Sequence, residues 1–262
     1  MDIKSTKFDI LVLAGQSNAE GCGVGPVEQE FQPTESVWYL NAEKTVEVLD
    51  SGMKVTYHDK PLQFEIAQER KEGEGFIGDL SLTFAQEYVK NILQADRKVL
   101  IVRAAIGGTG FQKENWGIGK QLYVKLTEMV DYALSLNEEN RVVGFLWHQG
   151  EHDAFEKNEP ERFKKQLADQ LADVRARYGD VPFIAGDFVN EWKSENLADC
   201  QPILQKIREV LEEAGNGAFV ETADLLSNNQ KTGNGDKIHF CRESLHILGR
   251  RYFAAYQPLL KK

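Results

Sequence analysis

The chain predicts an α/β fold, in which a parallel sheet carries helices on both faces. Three observations predict it. Short runs rich in Val, Ile, Leu and Phe recur at 8–14, 99–105, 142–147 and 183–188, with a weaker one at 219–220. Each is apolar at successive positions, so both of its faces are buried, as in a parallel strand. Segments with helical periodicity alternate with these runs, and alternating strands and helices build such a sheet. Finally, polar or glycine-rich stretches follow several runs directly, at the edge where open α/β sheets bind ligands.

The first run ends at Gly15 and presents Ser17 beyond it. Residues 21–78 are rich in glycine and charge, with β-like pieces at 36–40 and 45–49, and are expected to form a long decorated connection with a small hairpin beside the site. Leu82, Ala85, Val89 and Ile92 make one helical stripe, and Leu122, Leu126, Met129, Val130 and Ala133 a second. Phe163, Leu167, Leu171, Val174 and Tyr178 make a third, introduced by Asn158 as N-cap, Pro160 in the first turn and Glu161 at the capping-box position. A final helix is expected over 242–256. At 262 residues, without repeats or an evident linker, residues 1–262 are expected to form one domain.

The composition is 42% hydrophobic and 27% charged, ordinary values that favour neither disorder nor a membrane class. A net charge of −10 argues against nucleic acid as a partner. No run approaches 18 apolar residues, so no membrane partner is expected. The first apolar run is short and interrupted by Asp9, unlike a secretory signal, and Cys22, Cys200 and Cys241 form neither a metal pattern nor a disulfide framework. These features lead to the expectation of a cytoplasmic protein.

Four segments carry candidate chemistry. A serine is a weak nucleophile until a base takes its proton, and that base must be held in one tautomer by an acid. Asp236 and His239, three residues apart, meet the acid and base requirement for Ser17. The paired glycines of AIGGTGF at 105–111 follow a strand and let backbone N–H groups approach a ligand closely. In WHQGEHDA at 147–154, Gln149 offers a side-chain amide to an oxyanion, an interaction typically worth about 3 kcal/mol in the transition state. Glu151 and Asp153 are placed to orient neighbours or to contact substrate. Trp116 and Trp192 follow strand ends and are candidates for stacking on a sugar. Each signal alone is common, since a lone D-x-x-H is usually a surface loop and paired glycines usually a turn. Their convergence on one sheet edge is the stronger signal.

A competing pattern is present. His148, Glu151 and His152 spell H-x-x-E-H, which binds zinc when one helix carries both histidines. Gly150 interrupts the pattern and a strand runs into His148, so a packed strand-end histidine is expected instead. His58 and His246 have no acid at a useful spacing and are expected to be structural or surface groups.

Together GQSN at 15–18, GGT at 107–109, WHQGE at 147–151 and DKIHF at 236–240 resemble a known set. They are similar to the sialate O-acetylesterase and acetylxylan esterase group (carbohydrate esterase family six) of the SGNH hydrolase superfamily, from Phe8 to about Leu248. The resemblance implies a three-layer α/β/α sandwich, flavodoxin-like, with about five parallel strands. It implies a serine esterase without metal or other cofactor that removes acetyl groups from carbohydrates through an acyl-enzyme. Carried over by position, Ser17 is the nucleophile, His239 the base and Asp236 its orienting acid. The Ser17 N–H, Gly108 and Gln149 form the oxyanion hole, with Gln16, Asn18 and Glu151 contacting substrate or supporting these groups. The serine common after HQGE is His152 here, which leaves the surroundings of Glu151 open. A non-catalytic carbohydrate-binding protein on the same scaffold is the alternative.

Overall fold

The computed structural model describes residues 2–49, 52–70 and 78–261. In chain order the elements are β1 (Lys7–Gly15), α1 (Ser17–Glu20), β2 (Val37–Asn41), β3 (Lys44–Leu49), β4 (Gly52–Tyr57), β5 (Gln63–Ile66), α2 (Leu80–Asn91) and β6 (Arg97–Ala105). There follow α3 (Gln121–Ser135), β7 (Arg141–His148), α4 (Glu151–Phe155), α5 (Pro160–Tyr178), β8 (Phe183–Gly186) and α6 (Asn190–Glu195). The remainder is α7 (Leu197–Ala214), β9 (Gly217–Val220), α8 (Asn228–Thr232), α9 (Arg242–Tyr256) and a short 3-10 turn.

The main sheet runs β5-β2-β6-β1-β7-β8-β9, with every pairing parallel except that of β5 with β2. Alternation along β1 explains the layers. Phe8, Ile10, Val12 and Ala14 join one core with residues of α3, α5 and α7. Leu11 and Leu13 point the other way, into a core with residues of α2 and α9. The α/β/α sandwich expected from the sequence is therefore present. From β1 the chain builds outward on one side of the sheet, then returns and builds on the other. The carboxyl end of β1 is thus the switch point, where such folds open a crevice.

Three expectations change. The sheet has seven strands rather than about five, because β2 and β5 add to one edge. The piece at 36–40 pairs with β6, not with the piece at 45–49, whose partner in a separate two-stranded ribbon is β4. The cap of α5 is Glu159, whose carboxylate accepts from Glu161 N and Arg162 N at 3.1 and 2.7 Å, while Asn158 bonds Asp153. Within the expected connection at 21–78, residues 50–51 and 71–77 lie outside the described residues.

One charged contact ties that connection to the body. Glu69 accepts from Arg242 Nη2 and faces His246 Nε2, both at 2.6 Å, so the acid for His246 comes from far away in sequence. Burial pushes the Glu69 carboxyl up, but hydrogen bonds from His246 and Arg242 outweigh it and lower it to about 2. A depressed carboxyl stabilises the fold above its unfolded value and loses that contribution as pH falls through the folded value. Glu69→Gln is therefore expected to cost about 2 kcal/mol at pH 7. Urea titrations at decreasing pH should show the gap to wild type closing between about 4.5 and about 2.

Candidate active site

The site is built at the carboxyl ends of β1, β6 and β7. Gly15 closes β1 with φ of +139°, and a Cβ there would lie 2.0 Å from the His148 carbonyl oxygen. Only glycine lets the ends of β1 and β7 meet this closely while the chain turns. Ser17 follows as the first residue of α1, so its amide has no intrahelical acceptor. A cavity of about 400 Å³ opens beside it, lined by Gln16, Ser17, Cys22, Met53, Gly107, Gly108, Glu151, His152, Phe155, Ile238 and His239.

Asp236 and His239 meet as their spacing suggested. His239 Nδ1 lies 2.9 and 3.0 Å from the two Asp236 oxygens, and the His239 amide donates to the same carboxylate at 3.3 Å. Burial would push the Asp236 carboxyl up, but hydrogen bonds from His239 and from Asn228 Nδ2 hold it below the usual carboxylate range. Ser17 and His239 share the cavity wall, and no hydrogen bond joins their side chains in this conformation.

Asn18 sets the distance between the nucleophile turn and the histidine loop. Fully buried, it donates from Nδ2 to the Ile238 carbonyl at 3.1 Å and accepts from the Phe240 amide at 3.0 Å. These two bonds straddle His239. The same Nδ2 donates to Glu151 Oε1 at 2.8 Å. On the other side of Glu151, the Tyr252 hydroxyl lies 3.1 Å from Trp147 O and 2.9 Å from His148 Nδ1, and His148 Nε2 faces Glu151 at 3.5 Å. Burial alone would push the Glu151 carboxyl up, but His148 and Asn18 hold it below the usual range. His148 ends a strand and His152 sits on α4, so the two histidines of H-x-x-E-H do not share a helix face.

The glycine segment after β6 lies against Ser17. The Gly107 amide is taken by Glu20 at 2.8 Å, whereas the Gly108 amide has no acceptor among the described residues. Gly108 has φ of +68°, and a Cβ there would strike Met53 of β4. Gln149, within 3.4 Å of Gln16 Oε1, lies behind the cavity wall. Its amide donates to Asp153 Oδ2 at 2.5 Å, with a longer contact to Thr109 O at 3.3 Å. Asp153 also accepts from the amides of Phe111 and Gln112 and from Asn158. Burial pushes its carboxyl up, and these donors only partly offset the rise. Cys22 reaches the cavity too, but burial and the nearby Glu20 and Asp236 carboxylates raise its thiol, which keeps it protonated and poorly nucleophilic.

The tryptophans do not serve as expected. Trp116 is 0% exposed, packed edge-on against Trp147 and bonded to Thr109, with no face left for a sugar. Trp192 packs against Phe188 and is absent from the cavity wall. The aromatic on that wall is Phe155, which sequence reading missed because its signal is only a position four residues after Glu151.

A parallel sheet between helix layers, with a serine turn and an acid-bound histidine on one edge, defines a hydrolase of the SGNH type. The model of the carbohydrate esterase family described as sialic acid-specific acetylesterase matches residues 7–258. The chain belongs to that family, and with it to the carboxylic ester hydrolases acting on acetylated carbohydrate. NanS shares the fold with a TM-score of 0.74 at 18% identity, covering 97% of this chain and 98% of that one. A protein of Arabidopsis thaliana does so at 0.70 and 19% identity, covering 95% and 98%. A carbohydrate acetylesterase from Xanthomonas citri aligns at 0.63 and 15% identity, covering 96% of this chain and 56% of its own. No curated protein matches by sequence. No helix among the described residues is long and apolar enough to cross a membrane.

Removing the Asn18 carboxamide leaves a buried carboxylate and a buried amide short of partners. Asn18→Ala is expected to destabilise the fold by about 2 kcal/mol and to lower kcat, read by thermal unfolding and by ester hydrolysis. Unchanged stability would remove Asn18 from its bridging role.

Proposed function

We propose that Ser17 is the nucleophile of an esterase that deacetylates carbohydrate hydroxyls, with His239 as base and Asp236 as its orienting acid. The observation that carries this reading is His239, bonded to Asp236, on the wall of the cavity that also holds Ser17. Asp236 accepts the Nδ1 proton of His239, which leaves Nε2 as the basic nitrogen. Ser17 Oγ attacks the acetyl carbonyl carbon while His239 Nε2 takes its proton. The oxyanion that forms meets the Ser17 and Gly108 amides, both without an acceptor among the described residues. Gln149, behind this wall with its amide on Asp153 and Thr109, positions the hole in this scheme rather than donating into it. Collapse breaks the bond to the sugar oxygen, which takes the proton from His239 and leaves as a free hydroxyl. Water, deprotonated by the same histidine, then releases acetate from Ser17.

Glu151 acts one step back in this scheme. Its bond to Asn18 stiffens the link between α1 and the segment 238–240, and the oxygen it offers stays ionised because His148 and Asn18 stabilise it. Gln16 supports the wall by accepting the His152 amide at 3.0 Å.

Ser17→Ala is expected to abolish hydrolysis of p-nitrophenyl acetate and labelling by a fluorophosphonate probe, with the thermal unfolding curve retained. Labelling of wild type also separates an esterase from a carbohydrate-binding protein on the same scaffold, which would leave the probe unreacted. Asp236→Asn should lower kcat by about 10⁴, far more than Asp153→Asn, and the reverse ranking would move the acid role to the 147–154 segment. EDTA should leave the rate unchanged, and a loss restored by zinc would overturn this mechanism.

A further inference from the structure

The two oxygens of Asp236 lie almost equally far from His239 Nδ1, at 2.9 and 3.0 Å, so the ring by itself does not choose the plane of the carboxylate. The side chain is also 29% exposed, which lets water compete for either oxygen. A carboxylate free to turn would hold the imidazole in its working tautomer only part of the time. A donor from outside the pair settles the plane. Asn228 Nδ2 donates to Asp236 Oδ2 at 2.8 Å, while the His239 amide donates to Oδ1 at 3.3 Å.

Asn228 is the first residue of α8 and is 1% exposed. Its Nδ2 also donates to the Cys22 carbonyl at 3.0 Å, and its Oδ1 accepts from the Val24 amide at 2.9 Å. Its backbone amide donates to the His239 carbonyl at 2.9 Å. Two donors and one acceptor on a short stem are what the three side-chain partners require. The segment 22–24 follows α1, which carries Ser17. One carboxamide thus meets the serine segment on one side and the acid on the other. Its neighbours brace it. Asn229 donates from its amide to Asp236 O at 2.8 Å and from Nδ2 to Glu191 Oε1 at 2.7 Å, and Ser227 closes the capping box of α8 and donates to Glu191.

The other titratable groups around the pair have partners or tasks of their own. Glu151 is bonded to Asn18, Lys237 to Glu195 at 2.5 Å, and Glu20 to the Gly107 amide. The Cys22 thiol stays protonated, and burial holds His152 below its ordinary value.

We propose that Asn228 is a positioning residue for the deacetylation: it fixes the plane of the Asp236 carboxylate, and through it the His239 ring, while tying both to the segment that follows Ser17. This rests on the proposed function, since Asn228 has this part only if Asp236 and His239 have theirs. Asn228 is not on the cavity wall, so it acts on turnover rather than on substrate binding.

The test is a double-mutant cycle. It is read by the rate at which a fluorophosphonate labels Ser17 and by kcat and KM for p-nitrophenyl acetate. Asn228→Ala should slow labelling and lower kcat by about tenfold to a hundredfold, the cost of a slightly misplaced group, with KM unchanged. In the Asp236→Asn background the same substitution should cost less than about twofold, because no carboxylate is left to orient. Ser227→Ala, which breaks the capping box beside Asn228, should lower the unfolding temperature and leave kcat in place. Equal losses from Asn228→Ala in both backgrounds, or no loss in wild type, overturn the inference. Should Asn228→Ala not fold, Asn228→Asp keeps the shape and the acceptor for Val24 and carries the same cycle. It sets a like charge against Asp236, and its loss should vanish in Asp236→Asn. If Asp236→Asn alone leaves labelling at the wild-type rate, the acid assignment of the esterase reading fails first. If it slows labelling while Asn228→Ala acts alike in both backgrounds, the esterase reading stands and this inference falls.

Discussion

The Asn18 carboxamide is the contact on which the geometry of the site depends. The sheet brings the ends of β1, β6 and β7 together, but backbone pairing alone does not place a loop from the far end of the chain beside Ser17. Asn18 does so with two bonds to the backbone on either side of His239 and a third to Glu151. A buried amide with all its partners in place is costly to disturb, because each lost bond leaves a desolvated group behind. Histidine loop and serine turn are thereby held as one rigid unit rather than as two flexible segments.

Three carboxylates around this unit show how burial is handled differently in each case. Asp236 is partly buried and receives donors from His239 and Asn228, so its charge is favoured where the histidine needs it. Glu151 has no exposure, yet His148 and Asn18 keep it ionised. Asp153 is raised despite its donors, and its part is to gather the amides of residues 111 and 112 and to hold Gln149 in place. The same side-chain chemistry thus yields an orienting acid, a brace and an anchor, according to which donors surround it.

The sheet and its site-bearing edge were legible because β1, β6, β7 and β8 are continuous apolar runs and the intervening helices carry clear stripes. α9 was read with its observed bounds, 242–256. The Asp236–His239 pair was legible because it is local. What was not legible depends on distant pairing. The piece at 36–40 looks the same in sequence whether it pairs with its neighbour or, as it does, with β6. α7 was missed although Ile203, Ile207, Val210 and Leu211 mark its buried side, since Pro202 interrupts an otherwise helical stretch. Asn228 bonds Val24, Cys22 and Asp236 at once, and nothing in its immediate sequence signals that. The tryptophans misled because position after a strand does not reveal burial, and Trp116 faces inward.

The ribbon of β3 and β4 shares no backbone ladder with the main sheet. It meets the body through Val55 in the core, a bond from Gln121 to the Val55 carbonyl at 2.6 Å and the Lys44–Glu20 pair, and from there it extends Met53 over Gly108. One wall of the cavity is therefore a detachable cassette. Its length and sequence can drift without disturbing the strands that carry Ser17 or the loop that carries His239. Descendants of such a protein could exchange the sugar they accept while inheriting the same acyl-transfer machinery intact.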